Sequence, residues 1–107
     1  SVAKAVQAAA PAANVVAAFQ NLPAAALADL ERELRADVLV CGDDKEAVAT
    51  VMAPTATVAG LDPIDAGALV NAAGVEALTA ILLNVNKSMH GEFSVRLVDL
   101  HGRAPTR

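Results

Sequence analysis

The chain has 107 residues, enough for one small domain, and a net charge of −4 with no cluster of Lys or Arg. A nucleic-acid surface needs a basic stripe to neutralise phosphates, so that class of partner is excluded. Hydrophobic residues make up 55% of the sequence and aromatics only 2%. About a quarter of the chain is alanine, which buries little area, so the core is thin and calls for a partner surface.

No apolar run approaches the roughly 20 residues of a membrane span, so no membrane partner is expected, and the N-terminus lacks a charged-then-apolar signal layout. Cys41 is the only cysteine, which leaves no internal disulfide and no cysteine-paired metal knuckle. The expectation is a soluble, cytoplasmic, single domain over 1–107, with residues 101–107 a frayed tail. The sequence begins at Ser1, inside an alanine-rich helical pattern, which suggests an engineered form, a processed product or a fragment, and a vector remnant would give the same start.

In chain order, Val2 to Ala10 favours helix and Pro11 ends it. Asn14 to Phe19 is a short apolar run with β-branched residues, read as a strand buried on both faces. Gln20-Asn21-Leu22-Pro23 is the polar turn at its C-terminal end. Ala24 to Arg35 returns to helix, with Leu27, Leu30 and Leu34 at helical spacing.

Val38 to Cys41 reads as a second buried strand. Gly42 lets the chain turn, and Asp43 is placed as an N-cap with Glu46 three residues later, an acidic variant of the capping box. Capping explains Asp43, Asp44 and Glu46 better than a metal cluster does, and no metal site is expected. The helix from Lys45 is expected to stop near Met52, because Pro54 removes a backbone hydrogen bond. Pro63 to Ala66 forms a third short strand, closed by Gly67.

Leu69 to Met89 is the longest helix. Val75, Leu78, Leu82, Val85 and Met89 fall at alternating three- and four-residue steps, and Ile81 and Leu83 widen that stripe. A central core helix and a dimerisation helix fit this pattern equally well. Gly91 ends it, and Glu92 to Leu100 alternates enough for a final strand. The architecture is therefore α/β: a small sheet of about four short strands, three to four helices, and a long apolar helix near the C-terminus.

Little in this pattern announces catalysis. There is no GxGxxG or phosphate loop, and no nucleophile elbow with a Ser–His–Asp order. His90 and His101 are isolated and read as solvated side chains. Cys41 lies in an apolar strand, where thiols are inert. No catalytic residue is assigned. Ligands of open α/β sheets lie beyond the carboxyl ends of the strands, which points to Gln20, Asn21 and Leu22. An ordinary strand-to-helix turn explains the same residues.

The segments DVLVCGDDKEA (37–47), DAGALVNA (65–72), VEALT (75–79) and LLNVN (82–86) resemble, in joint order and spacing, the C-terminal part of the NADPH-dependent F420 reductases. NVVAAFQNLPAAAL (14–27) is similar to the strand and loop just before it. The likeness spans roughly residues 1 to 100. It implies the C-terminal part of a Rossmann-type dehydrogenase that passes a hydride between NADPH and the deazaflavin coenzyme F420, with the NADP phosphates held by an N-terminal Rossmann half. It further implies ring contacts at Gln20, Leu22 and Phe93, and the family often carries histidine at the position of Gln20.

Two functional expectations follow from this resemblance. One is part of a reductase, inactive alone because the NADP phosphate site is missing, that associates with a Rossmann domain. The other is a non-catalytic dimerisation or ligand-binding module, a homodimer through the helix 69–89.

Overall fold

The computed structural model describes residues 1–29 and 33–102. Its elements are α1 (Val2–Ala9), β1 (Val16–Ala17), α2 (Ala24–Ala28), β2 (Ala36–Gly42), α3 (Lys45–Ala56), β3 (Leu61–Asp65) and α4 (Ala72–Met89), which a 3-10 turn over Leu69–Asn71 precedes. The expected helical position of Leu30 and the end of the tail, 103–107, lie outside the described residues.

β2 is the centre of a three-stranded mixed sheet. β1 runs antiparallel to it, pairing Val16 with Gly42 and Ala17 with Cys41. β3 runs parallel to it, from Ala36 opposite Leu61 to Val40 opposite Asp65, with α3 as the crossover. Because side chains alternate along a strand, β2 feeds two apolar layers. Cys41 joins Ala3, Ala17, Leu69, Ala72 and Val75 on one face, with Leu39 packed against them. Ala36, Val38 and Val40 join Leu22, Val48 and Leu61 on the other. This double burial explains the unbroken apolar run in the sequence.

The expected fourth strand is absent. Residues 93–99 form no strand. Asp37 N–H donates to Val95 O (2.9 Å), which ties this segment beside the start of β2 by the backbone.

Helix boundaries differ for local reasons. β2 extends to Gly42, so the N-cap of α3 is Asp44, whose Oδ1 accepts from Glu46 N–H (3.3 Å). Asp43 instead accepts from Leu69 N–H with Oδ1 (2.9 Å) and ties the start of the last helical region to the sheet. α3 runs through Pro54 to Ala56. Pro54 forgoes one backbone hydrogen bond to the preceding turn, only Thr55 and Ala56 follow it in the helix, and Thr57 Oγ1 donates to Pro54 O (2.6 Å) to close the end. α4 ends at Met89, as expected from the sequence, but the left-handed cap is formed by His90 (φ 53°, ψ 47°) rather than by Gly91.

The large apolar residues of α4 are mostly outside the core. Ala72 and Val75 are its buried positions, while Ile81, Leu83 and Met89 are exposed. An 18-residue window within Leu69–Met89 has a mean hydropathy of 1.4, long and apolar enough, by length and composition, to cross a membrane. Asn71, Glu76 and Thr79 break up its apolar runs, which is why no single run had that length. Two of these polar residues face the domain: Glu76 Oε1 accepts from Val2 N–H (3.0 Å), and Thr79 Oγ1 donates to Gln20 O (2.9 Å).

Candidate functional site

The loop from Phe19 to Pro23 leaves β1 through an unusual backbone. Phe19 adopts φ 70°, a conformation a bulky side chain takes only when its surroundings enforce it. Its carbonyl then accepts from Leu22 N–H (3.2 Å) and closes a tight turn. That turn points Asn21 and Leu22 into the fold, where both are buried.

Asn21 completes the edge of the sheet. β1 pairs only with the Cys41–Gly42 end of β2. Further back on β2, Asn21 Nδ2 donates to Asp37 O (2.7 Å), and Asn21 Oδ1 accepts from Leu39 N–H (3.3 Å). The side-chain amide thus occupies the place of a peptide group on a neighbouring strand. It stops the ladder from ending in unsatisfied groups, which are costly when buried.

Ser94 reaches the same loop from the other side of the chain. Its Oγ donates to Asn21 O (2.7 Å) and accepts from Asn21 Nδ2 (3.4 Å). Phe93 N–H donates to Asn86 Oδ1 on α4 (2.5 Å). Loop, helix and C-terminal segment therefore converge on one spot.

The four residues proposed from sequence, Gln20, Asn21, Leu22 and Phe93, line a single cavity of about 50 Å³ together with Thr79, Leu82 and Asn86. They differ in availability. Asn21 is 2% exposed and spends its amide inside the fold, whereas Phe93 is 41% exposed. Gln20 lines the cavity, and its Oε1 is buried without a hydrogen-bond partner. Thr79, Asn86 and Ser94 carried no signal in the sequence, because their roles depend on contacts across 59, 7 and 73 residues respectively.

The space is enough for a water and far too small for a fused ring system, so these residues form one wall of any larger cleft. Gln20 also borders a second hollow of about 460 Å³ beside the outer edge of β1, lined by Val2, Val6, Val15, Val16, Ala18 and Glu76 among others. Glu76 Oε2 is buried there without a partner.

Cys41 is buried in the sheet. Burial pushes its thiol above the ordinary range, and the charge of Asp65 adds to that effect. Among the described residues no group of three or more His, Cys, Asp or Glu side chains could hold a metal ion.

No protein-family profile matches the chain. Individual relatives do. It is 40% identical over 86 residues to the F420-dependent NADP reductase of Methanocaldococcus jannaschii, covering 80% of this chain and 39% of that protein. It is 32% identical over 88 residues to the protein of the same name from Methanothermobacter marburgensis, covering 81% and 39%. The chain thus spans about 39% of the length of the curated relatives it matches. A crystal structure of an Arthrobacter protein, described as an F420-dependent NADP-reductase, superposes with a TM-score of 0.76 at 24% identity, over 91% of this chain and 46% of the other. That likeness concerns the fold.

Proposed function

We propose, from the premise that this chain belongs to the F420-dependent NADP reductase family and matches its C-terminal part, that it supplies one wall of a deazaflavin-binding cleft and acts in hydride transfer only beside an NADP-binding domain. The observation that carries this reading is the convergence of Gln20, Leu22 and Phe93 on one cavity.

The residues suit the edge and face of a flat, polar heterocycle. Gln20 offers an unused acceptor to a ring N–H. Phe93 offers a half-exposed aromatic surface, and Leu22 and Leu82 supply apolar backing. Asn21 belongs to the scaffold that shapes the loop. When bound, coenzyme F420 would supply the hydride-accepting carbon, and NADPH the hydride. The chain's own contribution is to orient the ring and keep water from one side of it.

The hollow beside β1 supports association with a Rossmann domain. An edge strand flanked by exposed Val2 and Val6 is an unpaired apolar border that a neighbouring domain would cover. The exposed side chains of Ile81 and Met89 on α4 support the second reading, a module that self-associates through this helix.

The two readings separate in one assay. The chain is mixed with NADPH and coenzyme F420, and deazaflavin absorbance is followed. We expect F420 binding without turnover, and turnover only after an NADP-binding domain is added. Turnover by the chain alone would refute the dependence on a second domain, and failure to bind F420 would leave the self-association module.

A further inference from the structure

The segment 93–97 takes the place of a strand beside β2, yet side chains do most of the holding. Asp37 is central to this arrangement. It is fully buried on β2. Its N–H donates to Val95 O (2.9 Å), its carbonyl accepts from Asn21 Nδ2 (2.7 Å), and its Oδ2 accepts from Leu97 N–H. One residue thereby grips the C-terminal segment at two points and the Gln20–Pro23 loop at a third.

The first residues of the segment have ties of their own, Phe93 N–H to Asn86 Oδ1 (2.5 Å) and Ser94 Oγ to Asn21 O (2.7 Å), whereas beyond Val95 the other ties are weak or peripheral. Arg96 pairs with Asp62 (3.2 Å) with the guanidinium half exposed, the kind of contact that contributes little. Leu97 and Val98 are exposed and add no core packing. Phe93 sits at the leading end of this segment, where its N–H donates to Asn86 Oδ1, and the bonds of Asp37 to Val95 and Leu97 hold the chain that follows it. The other oxygen of Asp37, Oδ1, is buried without a hydrogen-bond partner. A buried polar group with half of its capacity unused costs free energy, so an apolar residue would pack there at least as well. A carboxyl group here is explained by its hold on Leu97.

We infer that Asp37 is a positioning residue, a buried latch that clamps residues 93–97 against β2 and thereby sets Phe93 opposite Gln20 across the ring-binding cleft. The inference rests on the ring-site reading for the purpose of the latch, and on the geometry alone for its existence. Release of the latch would let the segment swing away, while α1–α4 and the β2–β3 pairing persist.

The chain has two phenylalanines and no Tyr or Trp, so ring signals in NMR report Phe19 and Phe93 separately. The experiment compares wild type, Asp37→Val and Asp37→Asn by amide hydrogen exchange, ring signals and fluorescence titration with coenzyme F420. In Asp37→Val the Leu97 amide should exchange about tenfold faster or more, as expected for a lost hydrogen bond to a buried acceptor. The Phe93 ring signals should shift, with those of Phe19 and the β2–β3 amides unchanged, and F420 affinity should fall about tenfold. Asp37→Asn keeps an acceptor oxygen for Leu97 and should restore protection and affinity.

Unchanged Leu97 exchange in Asp37→Val overturns the latch. So does loss of protection throughout the sheet together with a shifted Phe19, which would make Asp37 an ordinary core position. Full F420 affinity with a released segment overturns the positioning role. If wild type does not bind F420 while the exchange pattern holds, the ring-site reading fails and the latch stands.

Discussion

The ring of Phe93 lies directly on Gly91: a methyl group at residue 91 would stand 2.5 Å from Cε2 and 3.1 Å from Cδ2 of that ring. The glycine is thus a seat for the aromatic side chain that the cleft presents. Gly91→Ala should push the ring aside without disturbing the sheet, because the nearest atoms all belong to one half-exposed side chain. We expect a stability change within about 1 kcal/mol and a shifted Phe93 ring signal, with weaker F420 binding by titration. Unchanged ring signals would disprove the seat.

Gln20 and Asn21 are neighbours with opposite expected behaviour. Asn21→Ala strips partners from Asp37 O and Leu39 N–H inside the sheet and should cost about 2–4 kcal/mol in urea unfolding. Gln20→Ala removes an oxygen that has no partner. It should leave stability nearly unchanged and lower F420 affinity. Equal destabilisation by both would show that the loop has no division between scaffold and contact.

His90 caps α4 in the left-handed conformation, where glycine avoids the strain of a β-carbon. His90→Gly should stabilise the domain by about 0.5–1 kcal/mol, seen as a higher urea midpoint with unchanged slope. A lower midpoint would mean that the imidazole makes a contact worth more than the strain.

The buried Cys41 thiol titrates above its ordinary range. The fold therefore favours the neutral form, and the associated stability is complete below the unfolded thiol value, about 8.5. It is lost as pH rises through the higher folded value. Urea midpoints should decline above pH 9 in wild type and less so in Cys41→Ala, and the thiol should resist labelling at pH 8 until the chain unfolds. Rapid labelling of folded protein would contradict the burial.

Ile81 and Met89 expose apolar surface on α4 away from the Gln20 loop, whereas Leu82 faces that loop. Changing Ile81 and Met89 to Asp should abolish any self-association in sedimentation while leaving the circular dichroism intact. An unchanged dimer would remove this face from the interface, and loss of binding to lipid vesicles in place of dimer loss would assign the face to a membrane.

The order of elements was legible in the sequence because it is written in local terms. A run of β-branched and apolar residues made β2, and carboxylates after Gly42 marked the start of α3. Three- and four-residue spacing marked α4. Local patterns fail where a distant partner decides. The stretch 92–100 alternates like a strand, yet β2 receives it through the Asp37 carboxyl and the Asn21 amide in place of a ladder. Pro54 looked like a stop near Met52, yet the helix runs through it for two more residues, to Ala56.

The sequence alone determined an α/β domain of a particular family, with DVLVCGDDKEA at its centre. It pointed to the loop after β1, because strand ends are where backbone turns and polar groups collect. Only the tertiary structure separated Asn21, which closes the sheet, from Gln20, whose Oε1 is left without a partner. Adjacent residues share local propensity, and their surroundings diverge through which side of a tight turn meets Asp37 and which lines the small cavity beside α4.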